Sequence, residues 1–130
     1  MLRHNDRLRF LSLQVVCGSK GPQTAELEME IDGETKAAKA EGNGPVDATF
    51  AAISQLFPHT ASLQLYQVHA VTEGTDAQAE VTVRLEEAGK TVNGQGADHD
   101  TLVASARAYI NALNKLLVKR EKTAPQVMSA

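Results

Sequence analysis

Two glycine pairs followed by acidic residues are the residues whose types and spacing best fit a binding site. One run extends from Gly42 to Asp47 and the other from Gly94 to Asp100, and each precedes a stretch of helical periodicity. Their first glycines lie 52 positions apart and their last aspartates lie 53 apart, which suggests a duplicated module. Because a helix N-terminus presents unpaired N–H groups that bind anions, the repeat predicts a small-ligand site. The alternative is that the glycines only turn the chain from strand to helix.

The other reactive side chains show no catalytic arrangement. Cys17 falls at an inward position of an alternating strand, which predicts a small core residue rather than a nucleophile. Asp98 and Asp100 are predicted to be N-cap and first-turn acids rather than a general acid–base pair. No metal-ligand spacing links Cys17 or any two of the histidines, which are His4, His59, His69 and His99. We therefore expect no catalytic residue and no metal site, and the sequence favours a binding module over an enzyme.

Composition excludes several classes of partner. The chain has 130 residues, 42% of them hydrophobic and 22% charged, with a net charge of −3, which is typical of one globular domain. No basic stripe indicates nucleic-acid binding, and no apolar run is long enough to span a membrane. A single cysteine excludes an intrachain disulfide and fits a reducing cytoplasm.

Alternating apolar and polar residues predict the strands that precede the first glycine pair. Residues 11–17 read as a half-buried strand, and Thr24–Ile31 alternates strictly, with three glutamates on a solvated face. Asp32-Gly33 is a two-residue hairpin signal, followed by a return strand over Glu34–Glu41. The apolar stripe that begins at Val46 predicts a helix over Val46–Phe57.

The second half repeats this order. Strands are predicted at Ser62–Glu73, at Ala77–Glu86 and at about Lys90–Gly94, followed by a helix at about Asp100–Lys119. In the first of these strands, Leu63 and Leu65 are assigned to one face and Tyr66, Val68 and Ala70 to the other. The prediction is an α+β fold of two duplicated βββα units with antiparallel strands and one helix per unit. Residues 1–7 are expected to be a linker remnant or disordered end, 8–118 the domain (units about 8–58 and 61–118), and 119–130 a flexible tail.

Three motifs resemble a known family. They are the run from Gly42 to Ala48, the run Leu65–Ala79, and the helix from Asp100 to Asn114 with its Ala108-Tyr109-Ile110-Asn111 core. Together, in this order, they resemble the C-terminal regulatory domain of 2-isopropylmalate synthase over about residues 8–118. Citramalate synthase carries a related domain and is the nearest alternative.

The resemblance implies a feedback-inhibitor site and a homodimer formed partly through this domain. The inhibitor is leucine in 2-isopropylmalate synthase and isoleucine in citramalate synthase. The full enzyme condenses acetyl-CoA with 2-oxoisovalerate, using a divalent metal in an N-terminal TIM barrel whose His-x-His motif is absent here. The resemblance therefore implies that this chain alone does not catalyse and holds no cofactor, and that its partners are leucine or another branched-chain amino acid, a second copy, and the barrel.

Carried over residue by residue, the family's effector pocket falls on eight positions: Asn43, Gly44, Val46, Asp47, Leu63, Tyr66, Ala70 and Ala77. A helix start suits the amino acid's carboxylate, the Asn43 side-chain oxygen or a backbone carbonyl suits its ammonium, and a small apolar cup suits its side chain. A structural dimerisation module without effector binding remains the alternative from another functional class.

Overall fold

The computed structural model describes residues 6–73 and 76–129, with side chains described for residues 6–69 and 78–120. Each half of the chain forms three strands and then a helix, which confirms the predicted α+β duplication. The elements are β1 (Leu8–Val16), β2 (Gln23–Ile31), β3 (Glu34–Gly42), α1 (Pro45–Leu56), β4 (Ser62–Glu73), β5 (Asp76–Glu87), β6 (Lys90–Asp98) and α2 (Thr101–Ser129).

The strands form two separate antiparallel sheets, ordered β1-β2-β3 and β4-β5-β6. The second hairpin of each sheet turns through two residues with positive φ, Asp32-Gly33 (51° and 88°) and Ala88-Gly89 (53° and 79°). This backbone matches the right-handed twist of the strands it joins. The two turns lie 56 positions apart, so they fix the structural correspondence between the units.

Both units carry a β-bulge at the same place in their first strand. The register shifts between Phe10 and Ser12 in β1 and between Leu63 and Leu65 in β4. A bulge inserts one residue and reverses the alternation beyond it. In β1 the bulge leaves Leu11 43% exposed.

The predicted inward position of Cys17 was wrong. Cys17 lies just beyond the end of β1 and is exposed. The alternation of Leu13 and Val15 would place Cys17 on the inward face, but β1 ends at Val16, before it reaches Cys17. The bulge moves Leu11, and not Cys17, out of this series.

The bulge also corrects the predicted faces of β4. Leu63 pairs with Leu85 and Tyr66 pairs with Val83, and both partners are buried on the helix side of the sheet. Leu65 pairs with the exposed Arg84. Leu63 therefore shares a face with Tyr66, and Leu65 lies on the opposite face.

One core joins the two units. Helix α1 packs on β2 and β3, whereas α2 packs on β5 and β6 and also reaches β1 and α1. The buried Asn114 of α2 accepts the Leu8 N–H through Oδ1 (3.0 Å) and donates Nδ2–H to the Leu8 carbonyl (2.8 Å). A side-chain amide thus takes the place of a neighbouring strand at the edge of β1, and it satisfies backbone groups that burial would otherwise leave unpaired.

Helix α2 extends ten residues beyond the predicted end at Lys119. Two basic side chains of α2 contact the second sheet: Lys115 Nζ donates to the Asn93 carbonyl (2.7 Å) and Lys119 Nζ to the Thr91 carbonyl (3.0 Å). They cover the free edge of β6 and so block further strand pairing there. Within the described ranges, neither helix is long and apolar enough to cross a membrane.

Candidate functional site

The two glycine pairs do not occupy equivalent positions. With the hairpin turns 56 positions apart, Gly42 at the end of β3 corresponds to Asp98 at the end of β6. The helices begin at Pro45 and Thr101, also 56 positions apart, so Gly44 corresponds to Asp100. The match of Gly42 with Gly94 was therefore wrong, although the duplication itself holds.

Gly94 and Gly96 lie inside β6, which continues to Asp98 instead of ending at Gly94. A Cβ on Gly96 would lie 2.5 Å from the Ala104 carbonyl oxygen and 2.6 Å from the Ala108 nitrogen, and one on Gly94 would collide with the backbone of Ala108 and Ala112. These glycines let α2 approach the sheet closely. For this pair, the helix backbone fills the space that a ligand would need.

Gly44 stands in a different environment. It is the N-cap of α1 with an extended backbone (φ −153°, ψ 171°), and a Cβ there would meet no heavy atom within 4 Å. No side chain caps the helix, whose first backbone bond runs from the Ala48 N–H to the Gly44 carbonyl (2.9 Å). Helix geometry leaves the Val46 and Asp47 N–H groups without an intrahelical acceptor. No capping side chain thus takes these N–H groups, although Asp47 places one carboxylate in the first turn of α1.

The start of α2 is occupied by the protein's own carboxylates. Asp100 Oδ1 accepts the N–H groups of Leu102 (2.7 Å) and Val103 (3.4 Å). Asp98 Oδ2 accepts the Asp100 N–H (2.9 Å). The predicted capping role is confirmed for Asp100, whereas Asp98 ends β6 and lies before the N-cap instead of in the first turn. The negative charge of both acids disfavours an anionic ligand at this helix.

Tyr66 lies where β4 meets both helices. Its ring makes an edge contact with Phe50 of α1 (centroids 5.9 Å apart, planes at 79°). Its hydroxyl lies 2.7 Å from Ser105 Oγ on α2. Phe50 also packs on Tyr109 with the ring centroids 4.4 Å apart. Tyr66 is therefore held by one aromatic contact from unit one and one hydrogen bond from unit two.

The predicted effector residues fall in two groups. Val46 and Gly44 are partly buried and Asn43 and Asp47 are exposed around the start of α1, with Phe50 one turn further along the helix and in contact with Tyr66. Leu63, on the same face as Tyr66, is 45% exposed. The side chains of Ala70 and Ala77 lie outside the described residues.

Sequence reasoning missed two residues that hold Tyr66, namely Phe50 and Ser105. Phe50 falls on the apolar stripe of α1, four residues after Val46, and that spacing was a usable signal. Ser105 interrupts a run of buried alanines in α2 and is itself 0% exposed. A fully buried serine needs a hydrogen-bond partner, but nothing in the sequence names Tyr66 as that partner.

A hydrogen-bonded cluster around His59 closes the junction between the units. The Ala61 N–H donates to His59 Nδ1 (3.1 Å), so the proton of the neutral ring is on Nε2, which lies 3.2 Å from both Ser54 Oγ and Tyr109 Oη. Burial lowers the pKa of His59, the carboxylate of Glu87 opposes this, and Arg120 adds to it. Burial raises the pKa of Tyr109. These contacts give His59 a structural role, because its ring links Ser54 of α1 to Tyr109 of α2.

An ion pair anchors the β5–β6 hairpin to α2 beside this cluster. Arg120 makes two hydrogen bonds to Glu87 (2.8 and 2.5 Å), and Thr60 Oγ1 donates to the same carboxylate (3.0 Å). These donors hold the pKa of Glu87 at about 2. Glu87 is therefore ionised throughout the neutral range.

The larger surface depressions lie away from the predicted effector residues. One of about 570 Å³ lies on the outer face of the first sheet, where Ser12 donates to Glu28 (2.8 Å). Another, of about 340 Å³, lies between β6 and α2 beside Asn114. Among the residues whose positions are described, no three His, Cys, Asp or Glu side chains are grouped to hold a metal ion.

Comparisons with known proteins agree with the resemblance. Residues 1–117 match the model of the LeuA allosteric (dimerisation) domain family. Three relatives, all called 2-isopropylmalate synthase, are 55% identical over the whole chain (Bradyrhizobium sp. BTAi1), 57% over the whole chain (Caulobacter sp. K31) and 58% over 91% of it (Rhodopseudomonas palustris BisA53). The chain spans about a quarter of their length, 25%, 25% and 23% respectively. The chain belongs to the LeuA allosteric (dimerisation) domain family.

Proposed function

We propose that this chain is the regulatory domain of a 2-isopropylmalate synthase, which binds leucine for feedback inhibition and contributes to dimerisation. The observation that carries the proposal is sequence identity. The whole chain is 55% or more identical to a segment that makes up a quarter of the length of enzymes with that name. The rest of such an enzyme, a metal-dependent TIM barrel, performs the catalysis in this proposal, in the cytoplasm. The domain itself performs none.

The open start of α1 is the proposed site of the leucine carboxylate. The Val46 and Asp47 N–H groups and the positive end of the helix dipole favour an anion. Gly44 supports this assignment because the space where a Cβ would stand is free.

The isobutyl group is proposed to lie among Val46, Leu63 and the two alanines Ala70 and Ala77. Burying a side chain of this size contributes about 1.5–3 kcal/mol. Leu63 is 45% exposed in the isolated chain, so it has apolar surface to contribute. The leucine ammonium is proposed to lie toward Asn43 and Tyr66.

Homodimerisation is supported by the uncovered face of β4. Leu63 and Val68 point to the helix side of their sheet but are 45% and 44% exposed, because α2 packs on β5 and β6. Two large apolar side chains on one edge strand are suited to contact with a second copy. The default pairing of identical chains is a two-fold dimer.

Titration calorimetry of the chain with leucine, isoleucine and valine tests the sensing role. We expect binding of leucine, with a modest preference over the other two because a methylene difference is worth about 1–3 kcal/mol. Sedimentation at micromolar concentration is expected to give a dimer. A dimer that binds no branched-chain amino acid at millimolar concentration would leave a structural module, and tightest binding of isoleucine would favour the citramalate synthase alternative.

A further inference from the structure

We propose that Ser105 is a positioning residue that fixes the direction of the Tyr66 hydroxyl proton, so that Tyr66 selects an effector carrying an ammonium group. This inference rests on the proposed function, because it assumes that Tyr66 lines the effector site. It goes further by naming how the site separates an amino acid from its 2-oxo acid. Ser105 acts through Tyr66 and does not contact the effector.

The direction of the proton follows from the number of donors. Ser105 Oγ donates to the Thr101 carbonyl at 2.8 Å. A serine hydroxyl has one proton, so Ser105 can only accept at its second contact. The Tyr66 hydroxyl, 2.7 Å away, must therefore donate. Its oxygen then has only lone pairs left to offer a ligand.

The packing prevents Tyr66 from escaping this arrangement. The edge contact with Phe50 holds the ring, and Ser105 is 0% exposed, so water cannot replace Tyr66 as the donor to Ser105. Turning the Tyr66 proton toward a ligand would leave the Ser105 oxygen without its donor inside the protein, which is unfavourable. The tyrosine oxygen is thus a fixed acceptor.

A fixed acceptor discriminates between two molecules that share a skeleton. Leucine presents an ammonium, which has three donors. In 4-methyl-2-oxopentanoate, which has the same isobutyl group and carboxylate, an oxo group replaces the ammonium, so that two acceptors would face each other. The site would therefore bind the amino acid in preference to the corresponding 2-oxo acid.

The experiment is calorimetric titration of leucine and of 4-methyl-2-oxopentanoate into the folded chain. The wild type is expected to prefer leucine by on the order of tenfold or more, because a hydrogen bond to a charged group is at stake. Ser105→Ala frees the tyrosine proton to reach the oxo group, so this preference should fall severalfold while the melting temperature shows a folded protein. Ser105→Thr keeps the hydroxyl and should restore the preference.

Thr49 supplies a matched control from unit one. It is also 0% exposed, its hydroxyl donates to the carbonyl four residues back (Pro45, 2.7 Å), and it stands 56 positions before Ser105. Thr49→Val removes the same kind of hydroxyl without freeing a tyrosine proton. The preference for leucine should remain that of the wild type.

Tyr66→Phe provides a second route if Ser105→Ala does not fold. It should lower the preference for leucine as well, and adding Ser105→Ala to it should change nothing more. A wild-type preference in folded Ser105→Ala, or in Tyr66→Phe, would overturn the positioning role while leaving leucine binding intact. Failure of the wild type to bind leucine at all would overturn the proposed function and this inference together.

Discussion

The two helix starts of this domain show how far two copies of one module can diverge. Both units build the same three strands, the same turn with two positive φ angles and the same bulge. Yet α1 begins at Gly44 without a side-chain cap, whereas α2 begins at Asp100, which accepts two N–H groups of its own helix. One helix end is thus capped by its own carboxylate, and the other has no side-chain cap.

The difference between the units extends to their glycines. In unit two, Gly94 and Gly96 bring α2 against β6, and the corresponding positions in unit one are Ala38 and Ala40. In unit one, Gly44 lies at the helix start with free space around it. Both glycines of the unit-two pair therefore serve packing. In unit one, Gly42 also packs closely, because a Cβ there would lie 2.5 Å from the Ala48 nitrogen, whereas Gly44 has free space.

The largest expected effect is at the packed glycine. Gly96→Ala places a Cβ against the backbone of Ala104 and Ala108, so we expect the free energy of unfolding to fall by about 3 kcal/mol. Gly44→Ala is the matched control, and it should change this free energy by about 1 kcal/mol or less because its Cβ meets nothing. Urea denaturation measures both. Equal losses would mean that the two glycines are not distinguished by packing.

A smaller effect is expected from removing the cap of α2. Asp100→Ala deprives Leu102 and Val103 of their acceptor, and an N-cap substitution of this kind costs about 1 kcal/mol. Leucine affinity should be unchanged, because the proposed site is at the other helix. If Asp100→Ala weakened leucine binding at wild-type stability, the effector site would have to include the start of α2.

Stability should also depend on pH through His59, with the smallest effect. The pKa of His59 is lowered below its ordinary 6.5 by burial, so the folded protein binds this proton less readily than the unfolded chain. The contribution of neutral His59 to the free energy of unfolding is present above pH 6.5, and it is lost as the pH falls below that value toward the folded pKa. Glu87, with a pKa of about 2, stays charged between pH 7 and 5.

Urea denaturation at pH 7 and at pH 5 checks this sign. The wild type should lose stability on going to pH 5, and His59→Gln should lose less because it removes the titrating ring. His69→Gln, on an exposed position of β4, is the control. A wild-type protein that gained stability at pH 5 through His59 would contradict the buried neutral ring.

Local patterns sufficed to predict most helices and strands, but not where a strand ends or where its pairing register shifts. Thr24–Ile31 alternates on one pleated face, and Asp32-Gly33 has the residue types for its turn, so this hairpin could be predicted. The prediction ends β6 too early, at Gly94. A glycine is needed at this position because the α2 backbone, which is distant in sequence, packs against it. The bulge at Leu11 depends on pairing with β2, and no local signal marks it.

The candidate site was predictable only where a recognised motif covers it. Gly44 and Tyr66 were named from the resemblance, and the structure gives them their environments. Ser105 and Phe50 come from different helices, and their contacts with Tyr66 span 39 and 16 positions of sequence. Contacts of that separation follow from how the units pack and leave no periodic signal in the chain.

The most direct test of the central claim is leucine titration of Gly44→Asp beside the wild type. An aspartate at this extended position would cap α1 as Asp100 caps α2, so the fold should be as stable as the wild type or a few tenths of a kcal/mol more stable. Leucine affinity should fall by about tenfold to a hundredfold, because the new carboxylate takes the N–H groups and repels that of the ligand. Unchanged leucine affinity in a folded Gly44→Asp dimer would contradict the claim that the open start of α1 is the effector site.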